Sequence, residues 1–280
     1  MDNERQGKSD SGITRRRLLG LGLGAAGAAI WGAFSIKRTM GGTSVEERVK
    51  LNPDERAASK GYLRARPSPV RQAFPKGLER LRLESTRDGL LYVPDGYRME
   101  HPAPLALMLH GAGGNAQHGL SLLKSFADEA GMILLAPDSR RQTWDVIVDR
   151  YGPDVAYIDR ALEQTFSRYA VDRKRIAIGG FSDGASYALS LGVANGDLFT
   201  HVIAFSPGFM SPSRQQGSPR LFISHGTRDE VLPIERCSRR IVPQVKRAGY
   251  NVRYREFDGT HTIPPQIARE ALDWFTNPIK

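Results

Sequence analysis

From about Leu90 onward, short uninterrupted apolar runs alternate with longer stretches whose apolar residues return every three or four positions. The runs are the signature of strands buried on both faces, and the longer stretches that of helices covering them. Strands are expected at Leu90 to Val93, Leu105 to Leu109, Met132 to Ala136, Arg175 to Gly179, His201 to Phe205, Leu221 to Ser224 and Val252 to Phe257. Helices are expected near Leu120 to Ala130, Pro153 to Tyr169, Gly184 to Ala194, Ile234 to Gly249 and Pro265 to Phe275. Strand and helix in strict alternation predict an α/β architecture, a mainly parallel twisted sheet flanked by helices. Upstream, residues 41–80 are rich in charge, Gly and Pro, as in Arg64-Ala65-Arg66-Pro67-Ser68-Pro69, and read as a linker with one short helix around Glu46 to Lys60. The folded domain is therefore placed at 81–280.

Residues 1–40 follow another grammar. Thr14-Arg15-Arg16-Arg17-Leu18-Leu19-Gly20 leads into an apolar, small-residue stretch running from Leu18 to Phe34. A basic start followed by an apolar segment is the form of an export signal, and the paired arginines ahead of two leucines resemble the twin-arginine type. The expected partner of this segment is the twin-arginine export machinery, and the expected location periplasmic or secreted. Lys37 and Arg38 close the stretch, so the alternative is an uncleaved membrane anchor formed by residues 18–34. Gly22-Leu23-Gly24-Ala25-Ala26-Gly27 satisfies the dinucleotide-binding pattern but follows three arginines instead of a strand, and is read as part of the signal.

Composition narrows the chemistry. A chain of 280 residues with 40% hydrophobic content supports one sizeable core. The net charge of +10 is scattered among carboxylates and around the N-terminal segment, without the aromatic interleaving of a nucleic-acid surface, so no nucleic-acid partner is expected. The single cysteine, Cys237, excludes an intramolecular disulfide framework and a cysteine-rich metal site; no cofactor is expected.

The candidate chemistry begins at Gly180-Phe181-Ser182-Asp183-Gly184, which matches GxSxG between an expected strand and an expected helix. In that setting the glycines permit a sharp turn that raises the serine hydroxyl above the sheet at a helix N-terminus, and the Asp183 amide faces the place where an oxyanion would form. A serine hydroxyl is a poor nucleophile until a histidine takes its proton, and that histidine needs an acid to orient it. Asp229 follows the expected strand Leu221 to Ser224, and His261 follows the strand Val252 to Phe257, which completes the chain order serine, acid, histidine. Asp258 is the rival acid, too close in sequence to His261 to lie across from it; His225 is read as structural. Before the serine, the strand Leu105 to Leu109 runs into His110-Gly111-Ala112-Gly113-Gly114-Asn115, a glycine loop of the kind that donates a second oxyanion hydrogen bond. Ala112 is assigned as that donor, with Gly111 and Gly113 as alternatives, and His110 is read as fixing the loop.

These elements, with Ala136-Pro137-Asp138-Ser139 and Thr143-Trp144-Asp145, resemble the phospholipase/carboxylesterase group of α/β-hydrolases and the related polyhydroxybutyrate depolymerase-like esterases. The resemblance covers roughly Leu90 to Phe275. It implies an α/β-hydrolase fold, hydrolysis of carboxylic esters through an acyl-enzyme, Ser182, Asp229 and His261 as the catalytic triad, and Ala112 with Asp183 as oxyanion donors. Where many relatives have Gln or Asn followed by two glycines after the serine, this chain has Asp183-Gly184-Ala185. The neighbouring dienelactone hydrolases carry cysteine at the position of Ser182. Only about fifteen residues, Ser206 to Arg220, separate two strands where a lid would be inserted. No large lid domain is expected, and small, short-acyl esters are the expected substrates. Trp144, Phe209, Met210 and Leu232, on loops at the C-terminal strand edge, are the candidate substrate pocket. Two alternatives stand beside this reading: a serine hydrolase of amide, peptide or thioester bonds, and a non-catalytic binding protein on the same fold.

Overall fold

The computed structural model describes residues 51–277. The expected signal or anchor segment and the start of the expected linker lie outside these residues.

The apolar runs form the centre of an eight-stranded sheet. Its strands are β1 (Gly77–Arg80), β2 (Leu90–Val93), β3 (Ala103–Leu109), β4 (Ile133–Ala136), β5 (Val171–Phe181), β6 (His201–Phe205), β7 (Arg220–Gly226) and β8 (Val252–Phe257), in the order β1-β2-β4-β3-β5-β6-β7-β8. Pairings from β4 through β8 are parallel, while β1 and β2 are antiparallel additions at one edge. The chain therefore has the α/β-hydrolase arrangement expected of it.

Every residue of β3 is buried, and the period-two pleat divides them between two cores. Leu105, Leu107 and Leu109 join Ile176, Ile178, Leu221 and Ile223 on one face, under α4 (Pro153–Arg168), α5 (Asp183–Ala194) and α6 (Ser238–Arg247). Ala106 and Met108 join Ala177, Ile203, Phe205 and Phe222 on the other, under α2 (Ala116–Ser121) and α7 (Pro265–Thr276). α1 (Pro53–Ala58) and α3 (Asp145–Val148) complete the α-helices of the described residues, and the helix expected over Ile234 to Gly249 is a 3-10 turn at Ile234–Arg236 followed by α6. The helix expected over Leu120 to Ala130 is instead α2 followed by a 3-10 turn at Lys124–Phe126.

The linker boundary needs correction. Residues 51–80 are part of the domain: β1 pairs with β2, and Leu63 is fully buried in the core. Polar side chains from distant helices hold this segment in place. Asn195 Oδ1 accepts the Leu63 N–H at 2.9 Å, Asn195 Nδ2 donates to Gly61 O at 2.8 Å, and Asp159 Oδ1 accepts the amides of Arg64 and Ala65 at 2.7 and 2.8 Å.

No lid domain rises between β6 and β7. The connecting loop lies on α5, where Ser186 Oγ accepts the Gly208 N–H and Ser190 Oγ accepts the Ser211 N–H, both at 2.9 Å.

Candidate active site

β5 ends at Phe181 and α5 starts at Asp183, so Ser182 alone makes the turn between them, with φ 58° and ψ −120°. This left-handed conformation is uncommon for a residue with a side chain and is held by the surroundings. The Ser182 N–H donates to Phe205 O at 2.9 Å, and Ser182 O accepts the amides of Ala185 and Ser186 at 3.0 Å. The turn is so tight that a Cβ on Gly180 would lie 2.5 Å from the Gly184 carbonyl carbon, and one on Gly184 2.5 Å from His110 O. The glycines of the motif are thus required by close approach.

The loop after β3 closes against this turn, where a Cβ on Gly111 would meet Ser182 Cβ at 3.4 Å. Two of its amides are already used: Gly113 N–H donates to Gln142 O at 2.8 Å and Gly114 N–H to Gly111 O at 3.0 Å. Among the three residues considered as donor, this removes Gly113 and leaves Ala112, which is exposed, and Gly111. His110 holds the loop. Its Nε2 accepts the Ser139 N–H at 3.0 Å, so Nδ1 carries the proton and donates to Gly111 O at 2.7 Å. Burial holds this imidazole below its ordinary pKa, consistent with a neutral ring.

Asp229 is 5% exposed at the mouth of β7, and the amides of Val231 and Leu232 donate to its Oδ1 at 3.0 and 2.8 Å. Its Oδ2 lies 2.6 Å from His261 Nδ1 and 3.3 Å from His225 Nε2. Because a carboxylate only accepts, Nδ1 of His261 donates and Nε2 is left with a lone pair. The ring of His261 packs 4.6 Å from that of Phe181, the residue before Ser182, which brings the imidazole to the serine turn. His225 is fully buried between Ser238 Oγ and Leu232 O, each at 2.7 Å, and fixes the Asp229 loop from below. Asp258 points outward in an exposed ion pair with Arg228. Ser182, Asp229, His261, Ala112 and Asp183 are therefore gathered at one end of the sheet.

The pocket residues separate. Leu232 lies against Gly208, beside the partly exposed Phe209, with a Cβ on that glycine 3.3 Å from a Leu232 methyl. Met210 packs on the core below. Trp144 does not line an open pocket: it is fully buried, its indole N–H donates to His110 O at 2.9 Å, and its ring stacks on Tyr187 at 5.2 Å. An indole with a satisfied N–H serves as core, which loop position alone does not reveal. Thr143, beside it, had drawn no role from the sequence. Its hydroxyl donates to Asp183 Oδ2 at 2.6 Å, a contact spanning 40 residues.

Comparison with known proteins agrees with this fold. The phospholipase/carboxylesterase family model matches residues 155–276. Feruloyl esterase C of Emericella nidulans is 31% identical over 157 residues, 53% of this chain and 57% of that protein. Feruloyl esterase B of Thermothelomyces thermophilus is 26% identical over 208 residues, 67% of this chain and 68% of that protein. The chain thus spans little more than half the length of the feruloyl esterase C relatives it matches. Among solved structures, a ferulic acid esterase of Anaeromyces mucronatus in complex with ferulic acid superposes with a TM-score of 0.54 at 20% identity, covering 72% of this chain and 89% of that one. An S-formylglutathione hydrolase of Staphylococcus aureus superposes with a TM-score of 0.59 at 14% identity, covering 74% and 99%. These likenesses agree with the α/β-hydrolase fold of the chain.

Proposed function

We propose that this protein is a serine hydrolase of carboxylic esters, acting through an acyl-enzyme on Ser182. The observation that carries the reading is the hydrogen bond from His261 Nδ1 to Asp229 Oδ2, since it leaves Nε2 as the only imidazole atom able to accept a proton, at the turn bearing Ser182. In the first half-reaction Ser182 Oγ attacks the ester carbonyl while His261 Nε2 takes its proton. The carbonyl oxygen becomes an oxyanion facing the amides of Asp183 and of Ala112 or Gly111. Collapse of this intermediate breaks the bond to the alcohol, which leaves with the proton returned by His261. Water then repeats the sequence on the acyl-enzyme, releasing the acid and restoring Ser182. Each oxyanion donor is expected to lower the barrier by about 3 kcal/mol.

The short β6–β7 loop, tied to α5, favours small or short-acyl esters over aggregated lipid. The relatives named feruloyl esterase make methyl ferulate a rational probe beside simple aryl esters. Residues Arg15 to Leu19 support export by the twin-arginine route, and replacing Arg15 and Arg16 with lysine should retain the protein in the cytoplasm. Among the described residues no helix is long and apolar enough to cross a membrane.

A fluorophosphonate probe tests the central assignment. Wild type should be labelled and Ser182→Ala should not; persistent labelling of the variant would overturn the nucleophile. A panel of p-nitrophenyl esters from acetyl to palmitoyl should show faster turnover of the short acyl chains.

A further inference from the structure

Residues 142, 143 and 144 each bond to a different part of the oxyanion site. Gln142 O accepts the Gly113 N–H at 2.8 Å, and the Trp144 indole donates to His110 O at 2.9 Å, so both grip the loop after β3. Between them, Thr143 Oγ1 donates to Asp183 Oδ2 at 2.6 Å on the other side of the site. Asp183 is the first residue of α5, and its own amide is one of the two oxyanion donors in the reading above. Covalent geometry alone therefore keeps a carboxylate within about 5–6 Å of the oxygen that must become negative. Like charge at that range opposes the charge growing in the transition state. The helix N-terminus makes Asp183 tolerable in the ground state, yet does not decide which way its side chain turns.

We infer that Thr143 is a positioning residue that restrains the Asp183 carboxylate, holding its charge toward the 142–144 loop and away from the oxyanion. This rests on the esterase reading and adds a residue to it. The β-branched threonine has few rotamers, and its backbone is anchored on both sides by the bonds of Gln142 and Trp144, so the hydroxyl is presented from a rigid support. A short hydrogen bond to a carboxylate is among the stronger neutral-donor contacts. Without it, the side chain is free to swing about its first torsion toward its own amide and toward bound substrate.

The test is a double-mutant cycle on p-nitrophenyl acetate with kcat and KM measured separately. Thr143→Val should lower kcat on the order of tenfold with KM changed less than about twofold, because the misplaced charge acts on the transition state. Thr143→Ser keeps the hydroxyl and should retain most of the activity. In Thr143→Val/Asp183→Asn the charge that needs restraint is gone, and kcat should recover at least threefold, on the order expected from removing like charge, relative to Thr143→Val alone. A merely structural role for Thr143 would make the two losses multiply, and that result, or an unchanged kcat in Thr143→Val, overturns the inference. If Thr143→Val does not fold, Thr143→Ala carries the same cycle. Failure of the underlying reading is distinguishable, since wild type would then turn over no ester and Ser182→Ala would label as wild type does.

Discussion

Nδ1 of His261 lies 2.6 Å from Oδ2 of Asp229, while the other carboxylate oxygen is occupied by the amides of Val231 and Leu232. This division of labour predicts the effect of Asp229→Asn. The two backbone N–H groups retain the amide oxygen of Asn, so its NH2 is turned toward His261. A donor facing Nδ1 forces the ring to place its proton on Nε2, the atom that must accept from Ser182. Turnover of p-nitrophenyl acetate should fall on the order of 10³–10⁴-fold, with the fold intact by circular dichroism.

At the opposite end of the sheet, His201 is wedged between Trp274 and Phe275, with ring centroids at 5.0 and 5.1 Å. Thr200 Oγ1 lies 2.8 Å from its Nδ1, and Nε2 has no hydrogen-bond partner among the described residues. Burial, helped by the charge of Arg220, holds this imidazole down at about 4 against an ordinary 6.5. As pH falls below 6.5 the unfolded chain takes up the proton first, so stability is lost progressively down to about pH 4, by at most about 3 kcal/mol. His201→Phe should flatten the fall in Tm over that window.

Asp154 works in the opposite sense over nearly the same range. It is 1% exposed, and burial, reinforced by the neighbouring Asp145, raises its pKa to about 7 from 3.8. The native state then binds the proton more tightly than the unfolded chain, so this group's contribution is fully present below pH 3.8 and declines as pH rises toward 7. The wild-type curve is a difference of two opposed terms. Asp154→Asn, which cannot ionise, should give a more positive slope of Tm against pH between 4 and 7 than wild type. Its overall stability should be lower, because Asp154 accepts the amides of both Arg140 and Asp145, at 2.5 and 2.7 Å, and an Asn side chain has only one acceptor oxygen for the two.

The legibility of these features in the sequence follows the range of the forces behind them. Six strands were readable because burial leaves apolar runs that no other element explains, and β8 because Val252, Tyr254 and Phe257, each partly buried, stand out between charged positions. β1 was not, since Gly77–Arg80 is an edge strand with half its positions exposed, including Leu78 at 54%. The nucleophile turn was readable because its glycines answer to local crowding. The Trp144 assignment failed because its burial depends on His110 and Tyr187, 34 and 43 residues away in the chain, and no local pattern records such a contact. Thr143, within the same motif as Trp144, drew no role for the same reason.

The misread linker leads to a final prediction. Asn195 is fully buried at the C-terminal end of α5, and its side chain makes three hydrogen bonds: from Leu63 N–H, to Gly61 O and to Leu191 O, at 2.9, 2.8 and 2.9 Å. Two of these fasten the 61–65 segment, which inserts Leu63 into the core. Asn195→Ala leaves one amide and two carbonyls without their partner, which should cost about 2–4 kcal/mol by urea denaturation. The loss should be local before it is global. Lys60, Arg64 and Arg71 lie in or next to this segment, so trypsin should nick the variant there under native conditions while the rest of the domain resists. Asn52→Ala, which removes the exposed cap of α1, should cost about 1 kcal/mol or less. If that variant is nicked as readily as Asn195→Ala, the segment is held by its short helix and not by the buried asparagine.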